Sequence, residues 1–302
     1  MTIVSSSRPI TAPVHTLRML MPQWQGGNNA VYPLGARLLA WLAPQDDAPL
    51  VEVPVRPYDA THIAREDGVI ERGALKEQLR AARHIVEGYA PERIVVFGGD
   101  CLISQAPFAY LNERYGGELG VLWIDAHPDV TTPKEFWHEH AMVLGNLLGE
   151  GDPDFAKEVG LHVKPQNVMF AGLQEISEQE TEVIQRLGMR RVGPKELTEN
   201  SEPVLAWIGE AGIRHLAIHL DLDVLDPKIF RSLLFANPMP APDAFMDFTI
   251  GEMTFAQLTR LIVDVSAKTG VVGLAIAEPL PWDAFNLKNM LEAFPILNGS
   301  PA

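Results

Sequence analysis

The 302-residue chain has a single cysteine, Cys101. No disulfide can form within it, so an oxidising compartment is not required and a cytoplasmic location is expected. Cations are scarce too: 24 Lys and Arg stand against 39 Asp and Glu, a formal net charge of -15. Such a surface repels phosphate backbones and anionic lipid, so neither nucleic acid nor a membrane is expected as a partner. No apolar run reaches the ~18–20 residues of a membrane span. The opening MTIVSSSRPITAPVHT has no basic segment leading into an apolar one, so no signal peptide is expected. Internal repeats, low-complexity tracts and long linkers are missing as well. The expectation is one domain over residues 1–302.

What is there is a rhythm. Short apolar, β-branched runs (TLRMLM, LVEVPV, RIVVFG, LGVLWID, NVMFAG, HLAIHLDLD, GVVGLAIAE) alternate with amphipathic stretches such as RGALKEQLRAARHIVEGY, SEQETEVIQRLG and TFAQLTRLIVDVSAKTG. Near-continuous apolar strands alternating with helices predict an α/β fold whose parallel sheet is covered on both faces. In such sheets ligands sit beyond the carboxyl ends of the strands. Four of the predicted strands end in residues that bind metals: Gly-Asp-Cys101, Asp125-Ala-His127-Pro-Asp129, Asp221-Leu-Asp223 and Glu278-Pro.

Alternate residues of an extended segment point the same way. Asp125, His127 and Asp129 would therefore project three ligand atoms together, and Asp221 and Asp223 two more. With Cys101 this makes six candidate metal ligands, more than one tetrahedral zinc requires. Carboxylates able to bridge point to two divalent ions sharing a water. Oxygen and imidazole donors suit manganese, with nickel, iron and zinc also compatible. Asp226, followed by Pro227, reads as a turn or cap residue instead.

These motifs resemble those of the arginase (ureohydrolase) family. GGDC stands where the family usually has Gly-Gly-Asp-His, DAHPD matches Asp-Ala-His-x-Asp, DLDVLDP matches Asp-x-Asp-x-x-Asp-Pro, and AIAEPLP places Glu278 at the substrate-binding glutamate. The resemblance implies a three-layer α/β/α fold with a binuclear manganese centre. One ion would be held by Cys101, Asp125, Asp129 and Asp221, the other by His127, Asp125, Asp221 and Asp223. It also implies a small guanidino substrate held by Glu278, proton transfer to the leaving amine by Asp129, and a homo-oligomer of three or six chains.

The recognition segments depart from the family pattern. Thr131 stands where an Asn would contact the substrate's α-carboxylate, and no Ser-Gly-Asn follows. His140 is the match for the family's proton-shuttling histidine, ahead of His138. Ser177 takes the place of an Asp that helps hold the α-amino group, and the loop after Asp-Pro is apolar and proline-rich. Phe136, Trp137, Phe235 and Phe245 are expected to build a more apolar pocket. Hydrolysis of a guanidino or amidino C–N bond is therefore expected, with an Nω-hydroxy-arginine-like compound ahead of L-arginine. An agmatinase- or guanidino-acid-type enzyme and a non-catalytic metal-binding protein of the same fold are the alternatives. The one-zinc deacetylases of this fold use a His-His pair that the chain does not contain.

Overall fold

The computed structural model describes residues 14–174, 176–238, 240, 245, 248–281 and 290–297. Its strands are β1 (Thr16–Met21), β2 (Leu50–Glu52), the short antiparallel pair β3 (Arg65–Glu66) and β4 (Val69–Ile70), β5 (Arg93–Gly98), β6 (Leu119–Ile124), β7 (Val168–Ala171), β8 (Arg190–Val192), β9 (His215–Asp221) and β10 (Gly270–Ala277). Eight of these form one sheet in the order β2-β1-β5-β10-β9-β6-β7-β8. Every pairing in that sheet is parallel.

The helices are α1 (Tyr32–Leu42), α2 (Arg72–Tyr89), α3 (Gln105–Arg114), α4 (Val143–Leu148), α5 (Pro153–Ala156), α6 (Glu178–Leu187), α7 (Glu202–Glu210) and α8 (Phe255–Lys268). Their termini follow from sequence. Ser177 with Glu180, and Thr254 with Gln257, form capping boxes that satisfy the first amides of α6 and α8. Gly188 ends α6 in the left-handed conformation.

Side-chain alternation along the strands divides the core in two. On β5, Ile94 and Val96 face the layer of α2, α3 and α4, while Val95 and Phe97 face that of α1, α7 and α8. The result is helices on both faces of a parallel sheet, the three-layer α/β/α arrangement that the sequence pattern predicts. No described helix is long and apolar enough to cross a membrane. The predicted strands TLRMLM and RIVVFG coincide with β1 and β5, and RGALKEQLRAARHIVEGY with α2. LVEVPV shortens to three paired residues.

Candidate metal centre and substrate pocket

The four strands that end in metal-binding residue types are neighbours in the middle of the sheet, in the order β5-β10-β9-β6. Their ends are nearly level, since Phe97 pairs with Ile276, Ala277 with Asp221, and Leu220 with Ile124. Residues far apart in the chain therefore meet at one edge. Cys101 Sγ lies 2.8 Å from Asp221 Oδ2 and 3.8 Å from Glu278 Oε1. His127 Nδ1 lies 3.0 Å from Asp223 Oδ2 and 3.6 Å from Asp125 Oδ1. Cys101, Asp125, Asp129, Asp221, Asp223 and Glu278 are all buried.

Gly-Gly-Asp before Cys101 has a steric reason. A Cβ on Gly98 would lie 1.7 Å from Ile103 Cδ1, and one on Gly99 1.6 Å from the Gln23 carbonyl oxygen. Asp100 is turned away from the cluster. Its carboxylate accepts from the Gly26 and Leu102 amides and from Gln23 Nε2, at 2.8, 3.1 and 2.8 Å. It thereby caps the short 3-10 turn Cys101–Ser104 that turns the thiol toward Asp221.

Asp129 and Glu278 have φ of 52° and 58°, in the left-handed region. That backbone costs a non-glycine residue on the order of 1–2 kcal/mol. Such strain clusters at functional sites. The Glu278 amide is held there by the Gly99 carbonyl at 2.6 Å.

The electrostatics are those of a site short of positive charge. Burial first, and neighbouring carboxylates second, push Asp125, Asp129 and Asp221 above the usual carboxylate range. Burial and then Asp221 push the Cys101 thiol well up. Burial opposes charge on His127, but Asp223 and Asp125 outweigh it and hold the imidazole well above its ordinary value. Asp129 Oδ2, Asp223 Oδ1 and His127 Nε2 are buried without a hydrogen-bond partner. Buried polar atoms are seldom left so. A thiol, an imidazole and four carboxylates, with Asp129 Oδ2 and Asp223 Oδ1 unsatisfied, fit divalent cations, which would relieve the repulsion and lower the thiol's pKa.

A cavity of about 630 Å³ opens from this cluster. Cys101, His127, Asp129, His140 and Asp221 lie at its inner end, and Thr131, Lys134, Glu135, Phe136, Ser177, Gln179, Glu180 and Phe248 line the rest. His140 Nδ1 sits 2.9 Å from Glu278 Oε1, so two residues given separate roles from sequence are a pair in the structure. Burial disfavours charge on His140, but the Glu278 hydrogen bond prevails and raises its pKa. His138 lies edge-on to His140 and is pushed down to about 4 by burial and by His140.

The outer positions fare differently from expectation. Thr131 lines the cavity, but its hydroxyl donates to the Ala141 carbonyl at 2.9 Å, leaving only lone pairs to offer a ligand. Ser177 lines it while capping α6. Of the four aromatics, Phe136 forms part of the wall. Trp137 is 42% exposed, under the Arg65 guanidinium. Phe235 and Phe245 pack edge-to-face at 5.1 Å beside Phe248, an aromatic that the sequence reading passed over. Residues 239, 241–244, 246 and 247 of that loop lie outside the described residues. Asp226 accepts from the Lys228 amide at 2.8 Å, as a turn residue does. Lys134, Gln179 and His219 were also missed; the alternation of HLAIHLD already placed His219 on the same face as Asp221.

The "Arginase family" model matches residues 38–233, and the chain belongs to the arginase family. It is 28% identical to an arginase of Staphylococcus aureus (strain COL) over 143 residues, 44% of this chain and 46% of that one. It is 33% identical to the Bacillus caldovelox arginase over 145 residues, 44% of this chain and 47% of that one. The chain thus spans about half the length of these curated relatives. The fold matches the structure of an Entamoeba histolytica arginase in complex with L-ornithine, at a TM-score of 0.77 and 16% identity over 96% of this chain and all (100%) of that one.

Proposed function

We propose that the chain is a binuclear-metal hydrolase that cleaves a non-peptide C–N bond of a guanidino or amidino compound. The observation that carries this reading is the convergence of Cys101, Asp125, His127, Asp221, Asp223 and Glu278 from four adjacent strand ends, with Asp129 lining the same cavity and its Oδ2, like Asp223 Oδ1 and His127 Nε2, without a hydrogen-bond partner. Cys101, Asp125, Asp129 and Asp221 would hold one ion, and His127, Asp125, Asp221 and Asp223 the other. Bound there, manganese or a similar divalent pair supplies the activation of water near neutral pH. Glu278 would hold the cationic carbon centre through its carboxylate. His140, within 2.9 Å of Glu278, would carry protons between cluster and cavity, and Asp129 would deliver one to the leaving amine. Family membership also supports a single domain, a homo-oligomer of three or six chains and a cytoplasmic location.

Among guanidino compounds, one observation favours a guanidino acid over L-arginine. Lys134 is the one Lys or Arg lining the cavity, and it has no hydrogen bond or ion pair among the described residues. The acids beside it are engaged: Glu135 accepts from the Thr132 amide and hydroxyl, and Glu180 from those of Ser177. A carboxylate at the far end of the substrate would meet Lys134. An α-ammonium would have to share Glu135 or Glu180 with the Thr132 and Ser177 groups that already hold one oxygen of each, and a polar group poorly paired loses up to ~1–3 kcal/mol. A urea- and ammonia-release screen over guanidino compounds tests this. Guanidino acids that lack an α-amino group should exceed L-arginine; L-arginine as the best substrate would overturn the specificity argument.

A further inference from the structure

Beneath the cluster lies a histidine that the proposed ligand set does not use. His219 precedes Asp221 by two residues on β9, and Trp123, on β6, precedes Asp125 by two; His219 and Trp123 are register partners. Their rings stack 3.7 Å apart at 9°. Trp123 Nε1 donates to Asp125 Oδ2 at 3.1 Å, and His219 Nε2 lies 3.7 Å from the same oxygen. At the other edge of the ring, Nδ1 is 2.7 Å from Ser104 Oγ. The imidazole is fully buried, and its Nε2 has no hydrogen-bond partner. Cys101, Asp125, His219 and Asp221 each offer an atom within 4.8 Å of the others.

We propose that His219 is a positioning residue of the metal centre: Ser104 fixes its tautomer, and its Nε2–H, beside the Trp123 Nε1–H, orients the Asp125 carboxylate assigned above to both ions. The inference rests on the binuclear reading above. A neutral imidazole has one donor and one acceptor nitrogen. With the Ser104 hydroxyl donating to Nδ1, the ring proton sits on Nε2 and faces the carboxylate attractively. The other tautomer would aim a lone pair at a carboxylate oxygen. At 3.7 Å the contact is longer than a formed hydrogen bond, so the ring acts as an oriented dipole. The Trp123 stack and Ser104 hold that dipole in place. Partners that orient a metal-bound carboxylate change metal affinity typically by 10–100-fold when removed.

The test measures metal binding to the full-length chain, stripped and reloaded with Mn²⁺, by elemental analysis and by competition with a chromogenic chelator. His219→Phe keeps a ring for the stack and removes the donor. It should still bind two ions, but at least one of them about 10–100-fold more weakly. His219→Gln, which retains an N–H, should recover part of the loss, and Ser104→Ala should show a smaller loss of the same kind. If His219→Phe fails to fold, Ser104→Ala carries the test. Wild-type affinity for both ions in the folded variants would overturn the proposal. So would a His219→Phe protein that holds only one ion and, reloaded with Co²⁺, shows an altered coordination spectrum, because His219 would then be a ligand itself. A wild-type chain that takes up no divalent ion would instead overturn the binuclear reading, and this inference with it.

Discussion

The two walls of the cavity are built on different principles. The inner wall stands on the ends of four central strands, and its thiol and carboxylate side chains are buried. The outer wall is made of loop and cap residues, from Thr131 to Phe136 and from Ser177 to Glu180, with Phe248 half exposed. The inner wall can fix the reacting groups to within small tolerances. The outer wall can change substrate without touching the sheet. The same division accounts for the sequence resemblance, in which the inner-wall motifs resemble those of the arginase family, Cys101 excepted, while the outer-wall segments do not.

The largest effects should follow from damage to the inner wall. Asp125→Ala and Asp221→Ala each remove a carboxylate assigned to both ions, and turnover should fall below detection with loss of bound metal. A variant that keeps two ions and normal turnover would mean the assignment of shared ligands is wrong. Cys101→Ala should cost one ion, whereas Cys101→His should keep both and shift activity toward simpler guanidines. Alkylation of the thiol should slow when metal is added; equal rates with and without metal, together with two ions in Cys101→Ala, would reduce Cys101 to packing.

Changes to the outer wall should be milder. Lys134→Ala should raise KM for a guanidino acid a few-fold to about tenfold with little change in kcat, as befits an exposed charge pair. An unchanged KM would remove Lys134 from recognition. The smallest effect concerns stability behind that wall. Glu139 is fully buried, with Oε1 accepting from Asn146 and Oε2 unpartnered. Burial pushes its carboxyl up to about 8, against the hydrogen bond from Asn146. An acid whose folded pKa is raised binds its proton more tightly in the native state, so its contribution to stability is lost as pH rises from its ordinary value toward 8. Glu139→Gln should therefore leave the melting temperature at pH 5 nearly unchanged and raise stability at pH 9 by about 1 kcal/mol or more. A melting temperature lowered equally at both pH values would contradict this.

The same contrast governs what could be read from sequence. Strands β5, β6, β9 and β10 announce themselves as apolar runs, and the candidate ligand types stand at or just past the end of each, so the residues that meet at the inner wall could be named from sequence, His219 excepted. β8, with only Val192 of its three residues buried, carries no such signal. The hairpin of β3 and β4 is too short to form a pattern. The outer wall was harder because the roles of its residues depend on which hydrogen bonds they have already made. Nothing in Thr131 shows that Ala141 receives its proton, while the Ser-x-x-Glu spacing of Ser177 and Glu180 does mark a capping box, a helix-end role that stood beside the substrate role first given to Ser177. His219 was within reach through strand alternation, but its partners Trp123 and Ser104 come from other elements and appear only in the assembled sheet.

The central claim is that the inner wall is a binuclear metal centre. Elemental analysis of the purified chain after reloading, together with activity measured in chelator, tests it most directly. The account predicts close to two divalent ions per chain and activity that disappears with them and returns on their addition. A metal content near zero with full activity in chelator would contradict it.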